Sequence, residues 1–350
     1  MGSPAGHHAI RKVVFTKYIT KDFTIDSLRF DKYIETRRSW KTVNAHGALD
    51  PYLRSRASRF EIGVNIMAGI TSSRRFSMPV AYTALVILAF AALAIHGQQI
   101  PYAPTSEGEI PDAILGEAGA PRGGDLAYFD EDQATRGYLA EPEGPGPRGA
   151  VILIHEWNGL VDRVRQVADA LAAEGYVALA ADLYSGRTGS NRDENMALVR
   201  ETLDDMDKII RNLDAAAAYL RSRPDVNGKI GAMGWCYGGG VALSYALGGE
   251  NHDATAIFYG RLLDDPERLS AIHHEIYGTF AGLDRGPSPE QVESFVAALR
   301  QAGVENDVHI YDDVNHGFWL YVERDPKNEE PALDAWERLK SYLKRTIGSD

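Results

Sequence analysis

Between Ala150 and His155 the chain reads AVILIH, a short apolar run. Just beyond it, apolar residues recur at 160, 161, 164, 167, 168 and 171 before Gly175 stops the pattern. The first signature suits a strand buried on both faces, and the second is one face of a helix. The pair then repeats. Tyr176–Asp182 (YVALAAD) predicts a strand. Leu203, Met206, Ile210, Leu213, Ala217 and Leu220 fall on one face of a long helix over Asp193–Arg223, which Pro224 ends. Lys229–Trp235 is the next strand, and Gly238–Leu247 the helix after it. Residues 254–260, 275–282 and 307–313 predict further strands, with a helix over 288–303 between the last two. Pro331–Ile347, with Trp336, Leu339 and Leu343 on one side, is a closing helix. Two shorter strand candidates, Asp125–Phe129 and Arg136–Ala140, come first and end in the turn cluster EGPGPRG. Apolar strands alternating with helices predict an α/β fold, a mostly parallel central sheet with helices on both faces.

Composition adds two things. The 350 residues are 44% hydrophobic and 25% charged, with a formal net charge of −12, which fits an ordinary globular protein and argues against a general nucleic-acid surface. The charge is uneven: residues 1–77 carry 14 Lys and Arg against 6 Asp and Glu, so the acidic excess lies in the rest. At this junction the run Met78–Ile95, behind Arg74 and Arg75, is about long enough to span a bilayer. It also has the layout of a secretory signal, with small residues at Ala92-Leu93-Ala94 and Gly97. A basic flank stays cytoplasmic, so the following domain is expected to be exported (periplasmic or extracellular) or held by a membrane anchor outside the cytoplasm. Membrane contact is expected only through residues 74–97. Four segments result: a basic stretch, 1–66, read as an upstream mis-start or a removed piece; a signal peptide or transmembrane anchor, 67–97, opening at Met67; a Pro- and Gly-rich linker, 98–122; and the α/β domain, 123–350.

The single cysteine brings in chemistry. Cys236 cannot form an intrachain disulfide or a cysteine-rich zinc site. It stands in Gly234-Trp235-Cys236-Tyr237-Gly238, with Gly239 and Gly240 behind, between a predicted strand and a predicted helix. A nucleophile on such a turn stands clear of the sheet, and small neighbours let strand and helix meet without collision. A thiol nucleophile needs a base, and the base a partner that orients it. In elbow hydrolases the chain order is nucleophile, acid, histidine. After Cys236 the best-placed acid is Asp284 (TFAGLDRG) and the best-placed histidine His316 (YDDVNHGFW), each just past a predicted strand. That is the sheet edge where open α/β folds bind ligands. Asp312 and Asp313 are rival acids that sit too close to His316 along the chain; His273 and His274 read as surface. HEWNGL, after the first central strand, brings in Glu156, a candidate to contact the thiol. It also offers the Trp157 backbone N–H, which with that of Tyr237 forms a candidate oxyanion hole. His155-Glu156 is not a zinc-protease motif, because position 159 is glycine rather than histidine. No metal or organic cofactor is expected.

From about residue 122 to 347 the chain resembles the dienelactone hydrolase family of α/β-hydrolases, through TRGYLAEPE, VILIHEWNGL, LAAEGYVALAADLYSG, NGKIGAMGWCYGGG, FAGLDRG and VNHGFW. The resemblance implies a Cys236–Asp284–His316 triad and a Glu156 that takes the thiol proton when substrate arrives. It implies a carboxylic ester or lactone as substrate and an acyl-thioester intermediate. The chain departs from the family in one respect. The name-giving enzymes hold an anionic lactone with arginines, one soon after the catalytic histidine, whereas HGFWLYVER has no basic residue before Arg324. Arg187, Arg192 and Arg261 are weaker candidates elsewhere. Tyr259, Phe318 and Trp319, with Trp235 and Tyr237, suggest an aromatic-lined pocket. Two alternatives stay open: a thioesterase or acyl-transferase at the same site, and a non-catalytic tethered binding module.

Overall fold

The computed structural model describes residues 102–349. The expected signal or anchor over 67–97 and the stretch before it lie outside the described residues. Among the described ones no helix is long and apolar enough to cross a membrane. Two short antiparallel strands, β1 (Gly124–Leu126) and β2 (Gly137–Ala140), lead into six parallel ones. These are β3 (Arg148–Ile154), β4 (Val177–Ala181), β5 (Val226–Trp235), β6 (Ala254–Phe258), β7 (Ile276–Ala281) and β8 (Asn306–Tyr311). They form one sheet in the order β1-β2-β4-β3-β5-β6-β7-β8. The order turns outward in both directions from β3, so the loops after β3 and β5 adjoin at one edge.

The helices are α1 (Asp112–Leu115), α2 (Asp162–Ala173), α3 (Arg192–Leu203), α4 (Met206–Arg221), α5 (Tyr237–Gly248), α6 (Pro266–Leu269), α7 (Pro289–Ala302) and α8 (Glu329–Ile347). Strand side chains alternate between two layers. Val151 and Leu153 pack with Val167 and Leu171 of α2 and Leu339 and Leu343 of α8. Ala150, Ile152 and Ile154 face the other way, onto Ile210, Leu213 and Ala217 of α4 and Val241 and Tyr245 of α5. Ile257 and Phe280 meet Phe295 and Leu299 of α7 in a third cluster. Every residue of β4, β6 and β7 is buried, which is why these strands read as apolar runs rather than alternations.

Three expectations change. The long helix over Asp193–Arg223 is two helices, α3 and α4, broken at Asp204-Asp205. The Asp205 carboxylate accepts from the Lys208 N–H, so a helix start sits where the apolar stripe runs on unbroken. The strand expected over Asp125–Phe129 ends at Leu126, and Tyr128 turns inward to donate to Asn212 Oδ1 at 2.6 Å. The stretch read as a linker is docked on the domain from Tyr102 onward. Ile114 of α1 is fully buried, and Asp169 of α2 accepts from Tyr102 Oη at 2.8 Å, the Arg122 N–H at 2.8 Å and Tyr138 Oη at 2.6 Å.

At the opposite edge of the sheet His273 is exposed, as read, but His274 is not simply surface. It shares a hydrogen bond of 2.8 Å with Thr255 Oγ1, and its ring meets His252 edge-on at 4.8 Å. Burial lowers both histidines, His252 to about 3 and His274 to about 4. The unfolded chain binds these protons near pH 6.5, and the folded one refuses them until far lower pH. Stability is therefore unaffected above about pH 7 and falls as pH drops from about 6.5 toward 4. Urea unfolding across that range checks this. A His252→Gln, His274→Gln double variant should show a flatter acid limb, and an unchanged slope would refute the assignment.

Candidate active site

The β5 strand ends at Trp235 and α5 begins at Tyr237, leaving Cys236 as the whole turn. Its backbone takes φ 54° and ψ −115°, a strained conformation for a residue with a Cβ. The Cys236 N–H donates to the Phe258 carbonyl at 3.0 Å, and the Gly240 N–H to the Cys236 carbonyl at 3.3 Å. Three glycines allow the turn to close. A Cβ on Gly234 would lie 2.3 Å from the Gly238 carbonyl oxygen, one on Gly238 2.2 Å from that of Ile154, and one on Gly239 2.8 Å from that of Phe258. The helix thus starts pressed between the ends of β3 and β6, and the half-buried thiol stands at its N-terminus.

Asp284 and His316 follow β7 and β8, which are neighbours in the sheet with Ala281 opposite Tyr311. Their loops are tied together, Gly282 N–H to the Tyr311 carbonyl at 2.7 Å and Leu283 N–H to that of Val314 at 3.0 Å. His316 Nδ1 donates to Asp284 Oδ2 at 2.6 Å. The Asp284 side chain is 6% exposed and that of His316 38%, so the acid is covered and the imidazole faces the cleft. His316 also lies beside Cys236. Burial pulls the imidazole down, but the bond to Asp284 and the influence of Asp284 and Cys236 together outweigh it and push the ring up to about 10. An imidazolium so held can protonate a leaving group and, once neutral, take a proton from water.

The loop after β3 completes the edge. Glu156 is only 4% exposed, and burial raises its carboxyl above the ordinary range. Tyr321 Oη donates to Glu156 Oε2 at 2.5 Å. The preceding His155 is fully buried: Nδ1–H donates to the Glu156 carbonyl at 2.7 Å and Nε2 accepts from Leu183 N–H at 3.2 Å. Burial keeps the ring neutral, outweighing the bond to the Glu156 carbonyl, which pulls the other way, and the two bonds pin the loop. Trp157 is half-buried, its carbonyl accepting from Tyr184 Oη at 3.2 Å. Tyr237 opens α5, and its hydroxyl donates to Thr202 Oγ1 at 2.9 Å. The backbone of Trp157 and that of Tyr237 thus lie at the ends of adjacent parallel strands, β3 and β5.

The structure sorts the substrate-contact candidates. Tyr259 reaches the site: its ring lies 4.9 Å from that of His316, edge-on, and its buried hydroxyl feels the charges of Glu156 and Cys236. Phe318 stands behind Tyr259 at 6.2 Å and is buried. Trp319 is core rather than lining; it is fully buried against Trp235 at 5.8 Å and Phe258 at 4.6 Å, because the sheet edge here is itself packed with aromatic rings. Arg187 is committed to a two-pronged pair with Glu201, at 2.9 and 2.6 Å, and Arg192 is exposed at the start of α3. Sequence reasoning missed Tyr321 and Arg324 as a unit. The Arg324 guanidinium lies 3.5 Å from the centre of the Tyr321 ring. The available signal was their position, a few residues past His316. Among the described residues no group of three or more His, Cys, Asp or Glu side chains is arranged to hold a metal ion.

A parallel sheet with its nucleophile-type turn after β5, an acid after β7 and a histidine after β8 defines an α/β-hydrolase fold. The profile of the dienelactone hydrolase family matches residues 135–347, and the chain belongs to that family, one of ester hydrolases. A "Putative carboxymethylenebutenolidase" of Aquifex aeolicus is 31% identical over 234 residues, covering 63% of this chain and 100% of its own. One of the same description from Saccharolobus solfataricus is 32% identical over 254 residues, covering 62% and 97%. A crystal structure titled as a dienelactone hydrolase-like promiscuous phosphotriesterase from metagenomic libraries shares the fold, with a TM-score of 0.57 and 24% identity over 66% of this chain and 100% of its own.

Proposed function

We propose that the protein hydrolyses a carboxylic ester or lactone through an acyl-thioester on Cys236. Glu156 takes the Cys236 thiol proton, to be returned when the thiolate is released at the end of the cycle, and the sulfur adds to the substrate carbonyl as a thiolate. The N–H groups of Trp157 and Tyr237 hold the resulting oxyanion. Collapse breaks the acyl–oxygen bond, and His316, as imidazolium, gives its proton to the departing alkoxide. Water then enters; neutral His316 takes its proton while the oxygen adds to the thioester carbonyl, and the thiolate leaves with the acid as product. Asp284 keeps the ring oriented throughout. What carries this reading is the His316–Asp284 bond of 2.6 Å, with the same imidazole beside the lone thiol on its glycine-lined turn.

The test is intact-mass spectrometry after rapid mixing with a panel of activated esters and lactones. An acyl adduct should appear on the Cys236 peptide and decay at the rate of turnover. A decay that requires an alcohol or amine acceptor would replace hydrolase with acyl-transferase. No adduct and no turnover across the panel would leave a binding module and end the proposal.

A further inference from the structure

We propose that Tyr321 is a positioning residue for this chemistry: its phenol, bonded to the buried Glu156, fixes that carboxylate in the orientation and charge state that control Cys236. The proposal rests on the reading of Cys236 given above. An ionised Glu156 can accept the thiol proton and so release the thiolate; a protonated one cannot. The balance at Glu156 is therefore a control point. Burial at 4% exposure opposes the ionised form. The groups facing it favour that form: Tyr321 by its hydrogen bond of 2.5 Å, His316 and Arg324 from the loop after β8, and Arg163 from α2 by their charge. Tyr259, after β6, is a further group whose buried hydroxyl is coupled by charge to Glu156 and Cys236.

Tyr321 is held in place as a bonded donor must be. Arg324 covers its ring at 3.5 Å, and Arg163 lies 5.8 Å away. Its N–H donates to the Gly317 carbonyl at 3.2 Å, and its carbonyl accepts from Asn328 Nδ2 at 3.3 Å. Arg163 Nη1 further ties the adjoining Leu320 carbonyl, at 3.1 Å, to those of Ala113 and Ile114 at 3.0 and 3.1 Å. The docked segment before β1 thus braces the loop that aims the phenol. Without the phenol proton the carboxylate loses a short charge-assisted bond, and Glu156 takes up a proton at higher pH.

The experiment follows the rate of Cys236 alkylation by iodoacetamide against pH, in the wild type, Tyr321→Phe, Glu156→Gln and the double variant. Tyr321→Phe should move the acid limb up by about one pH unit. In the Glu156→Gln background the same change should cause no further movement. An unmoved limb in Tyr321→Phe, or an equal shift without Glu156, would overturn the proposal. If Tyr321→Phe fails to fold, Arg324→Gln reads the same limb, with an upward shift expected and no shift overturning. Alkylation requires no ester turnover. A protein that shows the shift but cleaves no ester would therefore sink the proposed function and leave the role of Tyr321 standing.

Discussion

A Cys236→Ala protein should fold normally and lose ester turnover by about four orders of magnitude or more. The change removes one half-buried sulfur from a turn whose shape is set by glycines and backbone bonds, so the melting temperature should move little. It also removes the only thiol in the chain. The proposed oxyanion donors and His316 would remain, and they would account for the residual rate expected over water. The same variant reports on the charge pairing. One of the two partners that raise His316 is gone, so its titration should move from about 10 toward the ordinary histidine range. Steady-state hydrolysis of p-nitrophenyl acetate and an NMR titration of the ring read the two effects. Turnover within tenfold of wild type would place the nucleophile elsewhere.

The fold was legible because the parallel strands are buried on both faces. Val177–Ala181 and Ile276–Ala281 are buried along their whole length, and the helix after Ile276–Ala281 carries a single apolar stripe, Val292, Phe295, Ala298 and Leu299. Legibility failed where local chemistry overrides the stripe. Asp205 caps a new helix inside an apolar period that continues across the break, and periodicity cannot see a cap. The segment before β1 looked like a linker because Pro and Gly dominate it. Its few anchors, Tyr102, Ile114 and the Arg122 N–H, act through Asp169 and α2, a contact that only the tertiary fold creates.

The triad candidates were legible because elbow geometry demands a rare glycine pattern and fixes the chain order of the partners. The bond from His316 to Asp284 is what that order expects once β7 and β8 are neighbours. Substrate-contact residues were not legible in the same way. Trp319 and Phe318 are aromatic neighbours of a histidine, and nothing in their identity separates a pocket wall from the core behind it. Tyr321 was missed for a related reason. Its importance comes from a carboxylate far away in sequence, reached only because the loops after β3 and β8 meet at one edge.

The other large effect is expected at Gly238, where an alanine should destabilise the domain by about 3 kcal/mol or more and abolish activity in whatever still folds. The added Cβ would stand 2.2 Å from the Ile154 carbonyl oxygen and 2.5 Å from that of His155. Both are backbone atoms at the end of β3, a strand held on each side by β4 and β5, so neither can swing away as a flexible side chain does. Relief must come from moving the start of α5 outward. That movement carries Cys236 with it, away from His316, and separates the N–H of Tyr237 from that of Trp157. Stability and catalysis should therefore fall together, unlike in Cys236→Ala, where catalysis falls alone. Gly119→Ala is the matched control, since a Cβ there meets nothing within 4 Å. Urea unfolding and ester turnover on both proteins decide the matter. A Gly238→Ala protein with wild-type midpoint and rate would mean that α5 does not press on β3 as closely as the elbow requires.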